Sequence, residues 1–88
     1  MTMTTLARHL ADAAERWLAG ANYDGPEPTP QAAAAQRTAD ALSLEIRETT
    51  ARTPVEHRLQ SLAAEWLSEV AGKDEAAIVA SLRNIAMA

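Results

Sequence analysis

The sequence predicts an all-α fold: a small antiparallel four-helix bundle formed by a single domain over residues 1–88. Apolar residues recur every three to four positions in four segments, which is the period of an amphipathic helix. A threonine and a proline precede two of these segments, and a glycine follows two of them, which are signals for helix starts and stops. Twenty-one of the 88 residues are alanine, the strongest helix former.

The first two helices are expected over residues 4–20 and 30–51. Thr29 and Pro30 suit the N-cap and the first turn of the second helix. Three prolines make residues 21–30 a loop between the two helices. The apolar side of the first helix is predicted to carry Leu6, Leu10, Ala14, Trp17, Leu18 and Ala21. The buried side of the second helix is predicted to carry Ala35, Ala39, Leu42 and Ile46.

The third and fourth helices are expected over residues 54–71 and 74–87. Thr53, Pro54 and Glu56 form a capping-box pattern, in which the Glu56 carboxylate reaches back to the N–H group of Thr53. The third helix is predicted to bury Val55, Leu59, Leu62, Ala63, Trp66 and Val70. The fourth helix is predicted to bury Ile78, Val79, Leu82, Ile85 and Ala86. The short connections after the second and third helices favour antiparallel neighbours.

The composition narrows the classes of function. The net charge of −4 is dispersed along the chain, and no basic stripe is present to neutralise phosphates, so direct nucleic-acid binding is not expected. No apolar run is long enough to span a membrane, and the first 18 residues lack the pattern of a signal peptide. The absence of cysteine excludes disulfides and fits a cytoplasmic location. The i, i+4 spacing predicts two ion pairs within helices, Asp12 with Arg16 and Glu48 with Arg52.

Residues suited to catalysis or metal binding are sparse. The Glu-x-x-His pairs of di-metal bundles are absent, and the nearest ligand-like spacing is that of His9 and Asp12. His9 and His57 are both predicted on polar sides of different helices, away from any activated nucleophile. The three glycines are isolated, so no glycine-rich loop is available to bind a phosphate. We therefore expect no catalytic residue, no metal and no cofactor, and we do not expect an enzyme.

Two features favour binding to another protein. Leu44 is a large apolar residue on the polar side of the second helix, and Tyr23 lies in the proline-stiffened loop. The residues predicted to bind a partner are Tyr23, Asp24, Arg37, Asp40, Leu44 and Arg47. Both features also have an ordinary explanation, since single exposed leucines are common and Tyr23 would also fit packed onto the bundle.

One segment carries a resemblance to known proteins. Residues 43–67, which read SLEIRETTARTPVEHRLQSLAAEWL, resemble segments of small uncharacterised helical proteins of bacterial prophages and mobile elements, in which a Thr-Pro signal precedes an amphipathic helix. The resemblance implies a small accessory protein that inhibits or adapts a larger host machine, such as an anti-CRISPR protein. We therefore expect a helical protein-binding module without catalytic chemistry. The alternative is a self-associating, homodimeric bundle, because an alanine-rich core buries little area in so short a chain.

Overall fold

Four α-helices make up the described parts of the chain, which in this computed structural model are residues 2–21, 29–68 and 74–86. They are α1 (Met3–Ala21), α2 (Pro30–Glu48), α3 (Pro54–Leu67) and α4 (Glu75–Ala86). No strand occurs within these three ranges. The predicted all-α bundle is therefore confirmed.

Neighbouring helices in the bundle run antiparallel, as contacts at successive levels show. For α1 and α4, these contacts are Trp17 with Glu75 and Asp12 with Arg83. For α2 and α3, they are Asp40 with Trp66 and Ile46 with Gln60. The end of α1 meets the start of α2 at Gly20, where an added Cβ would collide with the Ala32 side chain. Gly20 therefore allows the two helices to approach closely, besides marking the region where α1 ends.

The core holds a few large side chains among many alanines. The largest fully buried apolar side chains are those of Leu10, Ile46, Leu59, Leu62, Ile78 and Leu82. Alanines with at most 3% exposure fill the space between them: Ala7, Ala11, Ala13, Ala14, Ala32, Ala39 and Ala63. Trp66 is also buried, whereas Trp17 is half-buried at the edge of the core. Because alanine side chains are short, the helices pack closely but bury little apolar area per residue.

Val55 is exposed, which corrects the prediction that α3 buries it. Its exposed fraction is 51%, and it lies in the first turn of α3. The buried stripe of α3 begins one turn later, at Leu59. The helical period places Val55 on the same side as Leu59, but a period does not show where along the helix axis the neighbouring helices stop.

The helix α2 ends at Glu48, three residues earlier than predicted. Thr49 is extended, and both its N–H group and its hydroxyl donate to the carbonyl oxygen of Glu45. The side-chain amide of Gln60, on α3, donates to the carbonyl oxygens of Ile46 and Thr49. These contacts satisfy carbonyl groups that the last turn of a helix leaves without partners.

The helix α3 ends at Leu67, where Ser68 is extended and its N–H group donates to the carbonyl oxygen of Glu65. The prediction placed this end at residue 71. Residues 69–71 of that prediction, which include Val70, lie outside the described residues. So do residues 22–28 of the predicted loop and residue 87 at the predicted end of α4.

Threonine caps begin α2 and α3 as predicted. The hydroxyl oxygen of Thr29 accepts from the N–H group of Ala32, and that of Thr53 accepts from the N–H group of Glu56, each at 3.1 Å. The capping box differs from the prediction in one contact, since Glu56 Oε1 accepts from the N–H group of Arg52 at 2.9 Å. Arg52 precedes the helix, so its N–H group has no partner within a helix and is open to the carboxylate.

Each tryptophan ties its helix to a neighbouring helix through a carboxylate. Trp17 Nε1 on α1 donates to Glu75 Oε2 on α4 at 2.8 Å. Trp66 Nε1 on α3 donates to Asp40 Oδ1 on α2 at 3.1 Å. Both indole rings therefore combine an apolar body against the bundle with a satisfied polar group.

A second polar contact joins α1 to α4. Arg83 Nη2 donates to Asp12 Oδ1 and to Glu15 Oε2, each at 2.7 Å, and Arg83 Nε donates to Glu15 Oε1 at 2.9 Å. The Arg83 guanidinium lowers the pKa of the Glu15 carboxyl, mainly through these hydrogen bonds. The predicted pairing of Asp12 with Arg16 is corrected, because Asp12 pairs across the bundle with Arg83 instead.

Candidate partner-binding surface

The helix α2 buries one face and presents another to solvent. The buried face packs against α1 and α3 and consists of Ala32, Ala35, Ala39, Ser43 and Ile46. The opposite face, here called the α2 outward face, consists of Arg37, Asp40, Ala41, Leu44, Arg47 and Glu48. At 3.6 residues per turn these six positions fall within about 120° of one another around the helix axis. Four of the six residues predicted to bind a partner therefore lie together on one surface.

Leu44 is the largest apolar side chain on the α2 outward face. It is 48% exposed, and Leu44 and Val55 are the two large apolar residues that stand exposed among the described residues. Leu44 lies in the interior of α2, next to the exposed Ala41, whereas Val55 lies at the beginning of α3. Leu44, with the smaller Ala41 beside it, thus forms the apolar centre of a surface whose other residues are charged.

Charged side chains of both signs surround Leu44. Arg37, Arg47 and Glu48 are exposed, and none of their side chains makes a hydrogen bond or ion pair with a described residue. Asp40 is half-buried, because its Oδ1 atom accepts the indole N–H of Trp66. The surface therefore offers two positive and two negative groups around a small apolar centre.

Glu48 is not among the residues that the sequence predicts to bind a partner; the sequence pairs it with Arg52 within a helix. That pairing is corrected, since α2 ends at Glu48 and Arg52 lies in the non-helical segment before α3. The positions Arg37, Ala41, Leu44 and Glu48 follow one another at intervals of four, three and four residues. This spacing places the four residues on one stripe of the helix. The same spacing, read from the sequence, would have predicted that Glu48 belongs to the partner-binding surface.

Tyr23 and Asp24 lie outside the described residues. Their predicted contribution to partner binding therefore stays a prediction. Among the described residues, those predicted to bind a partner all belong to α2.

A shallow groove of about 280 Å³ lies between α1 and α2, beside the α2 outward face. Its lining consists of His9, Asp12, Ala13, Arg16, Thr38 and Leu42. His9 is exposed, as predicted, and its imidazole makes no contact with a described polar group. The Asp12 carboxylate accepts a hydrogen bond from Arg83 of α4. The groove therefore brings no interacting pair of an acid and a base together.

His57 is also exposed, on the first turn of α3, which confirms its predicted position on the polar side of that helix. Within the described residues, no three His, Asp or Glu side chains stand close enough together to hold a metal ion. None of the helices in those ranges is both long and apolar enough to cross a membrane.

Three comparisons with known proteins identified no relative of this chain. A scan against family models found no match, and searches of curated proteins and of solved structures found no significant similarity.

Proposed function

We propose that this chain is a helical protein-binding module that acts through the α2 outward face and performs no chemistry of its own. The observation that supports the proposal best is the 48% exposure of Leu44 within α2, beside Arg37, Arg47 and Glu48, whose side chains make no hydrogen bond or ion pair with a described residue. An exposed leucine bordered by charges can be buried by a complementary surface, and the charges then determine which surface fits.

Leu44 provides the apolar part of that binding energy. Covering the exposed half of a leucine side chain contributes roughly 1 kcal/mol, which is a useful but partial contribution. Arg37, Arg47 and Glu48 supply the rest as charge-assisted contacts, since each is free to turn toward a partner. An interface of this kind is specific because an unsuitable partner would leave those charges buried and unpaired.

The proposal predicts that Leu44→Arg abolishes partner capture, whereas Val55→Arg does not. Leu44 and Val55 are exposed to similar extents, 48% and 51%. Both substitutions introduce the same charged side chain, so Val55→Arg is a matched control. Tagged wild-type protein and both variants are used to capture proteins from a lysate of the organism that encodes the chain. Captured proteins are identified by mass spectrometry, and circular dichroism confirms that each variant keeps its helical content.

The expected result is one protein that wild type and Val55→Arg both retain and that Leu44→Arg loses. Equal capture by the two variants would place the interface elsewhere. Capture of nothing above background by the wild-type protein would remove the proposal, unless the chain occupies its own surface by self-association.

A narrower form of the proposal is that the module is a phage-type inhibitor, such as an anti-CRISPR protein, acting in the cytoplasm. Its support is the resemblance of residues 43–67, a segment that includes Leu44, Arg47 and Glu48 of the α2 outward face. Expression of the chain in a CRISPR-immune host would then restore plaque formation by the targeted phage, and Leu44→Arg would abolish the effect. If immunity is unchanged in strains that carry the main CRISPR effector types, the anti-CRISPR role is contradicted, and the more general proposal of a protein-binding module is unaffected.

A further inference from the structure

We infer that the partner of the α2 outward face is a second copy of this chain, bound through an antiparallel contact between the two α2 helices. This inference rests on the proposed function, in which that face is the binding surface. It goes further by naming the occupant, its orientation and its register. Along this face the residues are ordered so that two antiparallel copies place opposite charges, and a large and a small side chain, opposite one another.

The register follows from the spacing of the stripe. Arg37, Ala41, Leu44 and Glu48 are separated by four, three and four residues, and this spacing reads the same in both directions. When two such stripes pair antiparallel, Ala41 of one copy faces Leu44 of the second copy, and Arg37 faces Glu48 of the second copy. These are the alternating layers of an antiparallel coiled coil, in which a side chain of one helix inserts between those of the other.

The central layers are complementary in size. Ala41 is small and exposed, and Leu44 is large and 48% exposed. Two-fold symmetry produces two such layers, each with one leucine set against one alanine, so the leucines lie side by side without colliding. Both copies of Leu44 are then covered by the same contact, which would shield the one large apolar side chain that α2 leaves exposed.

The outer layers are complementary in charge. Arg37 meets Glu48 of the second copy, and the symmetry repeats that pair at the other end of the contact. Beside the stripe, Asp40 lies on the same flank as Arg47 of the second copy, which adds two further pairs of opposite sign. Asp40 keeps its second carboxylate oxygen for this purpose, because only Oδ1 accepts from Trp66. All four charged residues of the α2 outward face are thereby paired.

The opposite orientation of the two helices is unfavourable. In a parallel pair aligned in register, Arg37 would face Arg37 and Glu48 would face Glu48 of the second copy, which places like charges together. The charge order therefore selects the antiparallel arrangement. A contact between two 19-residue helices is smaller than a standard interface, so we expect a dissociation constant on the order of ten micromolar.

Charge reversal tests the register directly. Arg37→Glu creates two Glu–Glu contacts per dimer, and Glu48→Arg creates two Arg–Arg contacts, so each variant alone should raise the dissociation constant at least about tenfold. An equimolar mixture of the two variants restores two Glu–Arg pairs in a heterodimer. The double variant, Arg37→Glu with Glu48→Arg, restores the pairs in a homodimer. Sedimentation equilibrium measures all four samples and the wild type, from well below to well above the expected dissociation constant.

The matched control is Arg58→Glu, which reverses an exposed arginine on α3 that has no described partner. It should leave the dissociation constant within about twofold of the wild-type value. Native mass spectrometry of the mixture identifies the heterodimer by mass. Since every substitution is at an exposed position, circular dichroism should show unchanged helicity.

Three results would overturn the inference. A wild-type protein that remains monomeric throughout the range removes the second copy as partner. If that monomer still captures another protein in a Leu44-dependent manner, the proposed function stands without the dimer.

A mixture of the two variants that forms no heterodimer refutes the register. A dimer that survives Leu44→Arg unchanged refutes both the inference and the use of the α2 outward face for self-association.

Discussion

Ser43 is the one fully buried polar side chain among the described residues. It lies on the buried face of α2, and its hydroxyl makes no hydrogen bond with any described group. Leaving a buried hydroxyl without a partner costs roughly 1–3 kcal/mol. Serine is small enough for the close helix packing at this position. Its hydroxyl group, however, is buried without a hydrogen-bond partner among the described residues.

Replacing Ser43 with alanine should raise the free energy of unfolding by about 1 kcal/mol, because it removes the unsatisfied hydroxyl and keeps the small volume. Ser61→Ala is the control: Ser61 is exposed in α3 and its hydroxyl donates to the carbonyl oxygen of His57, so this variant gains helix propensity without removing an unsatisfied buried group. Urea denaturation of both variants measures the difference. A Ser43→Ala protein that is less stable than wild type would show that the hydroxyl has a buried partner.

The end of α2 depends on a side chain from another helix. Gln60 on α3 donates to carbonyl oxygens at the end of α2, among them those of Ile46 and Thr49. A helix terminus normally satisfies such groups with its own residues or with water. Here the Gln60 side chain satisfies carbonyl groups at the end of α2 and joins that end to α3.

Gln60→Ala should lower the free energy of unfolding by about 1–2 kcal/mol, because it removes the donor from several carbonyl groups at once. Gln36→Ala serves as the control, since Gln36 is an exposed glutamine of α2 whose side chain contacts no described polar group; its effect should stay below about 0.5 kcal/mol. Thermal or urea denaturation separates the two. Equal effects would mean that the Gln60 contact contributes nothing to stability.

The contact of Arg83 with Asp12 and Glu15 holds α4 against α1. These side chains are 30–50% exposed, so solvent weakens the contact and its contribution stays below about 1 kcal/mol. Arg83 lowers the pKa of the Glu15 carboxyl in the folded protein. A lowered carboxyl pKa stabilises the fold above the pKa of the unfolded chain, and this stabilisation disappears as the pH falls through the lower pKa of the folded state.

Arg83→Met should therefore destabilise the protein slightly at pH 7; its difference from wild type should begin to shrink near the ordinary glutamate pKa of about 4.3 and disappear below the lowered pKa of Glu15 in the folded protein. The methionine keeps an apolar stem of similar length, so packing is largely retained. Denaturant titrations at several pH values provide the measurement. A difference that persists unchanged into acid would indicate lost packing rather than a lost ion pair.

At the scale of the whole molecule, the sequence predicts what depends on neighbours a few positions away. The caps at Thr29 and Thr53 involve atoms three residues apart, and the buried positions of α4 follow from its period. The same period places Leu44 on the face of α2 that is now seen to be exposed. Most of the fold and the location of the candidate surface follow from such local signals.

Contacts between distant residues could not be predicted in this way. Gln60 donates to the carbonyl oxygen of Ile46 from 14 residues away, and Arg83 donates to Asp12 from 71 residues away. The sequence therefore placed the end of α2 too late and assigned Asp12 and Glu48 to partners on their own helices. The exposure of Val55 has the same origin, because it depends on where the neighbouring helices stop.

The lean core connects stability to association. A chain of this size with an alanine-rich core has a small margin of stability, and a partner that binds only the folded state adds to it. Dimer formation through the α2 outward face would therefore stabilise the fold as the protein concentration rises. The surface proposed for binding and the fold that presents it would support one another.

The most direct test is to locate the binding surface residue by residue with ¹H–¹⁵N NMR spectra over a range of protein concentrations. We expect the amide signals of Arg37, Ala41, Leu44 and Glu48 to move together with increasing concentration. Those of the exposed alanines of α4, Ala76, Ala77 and Ala80, should stay in place. If the signals of α4 move instead and those of α2 do not, the α2 outward face is not the surface through which this protein associates.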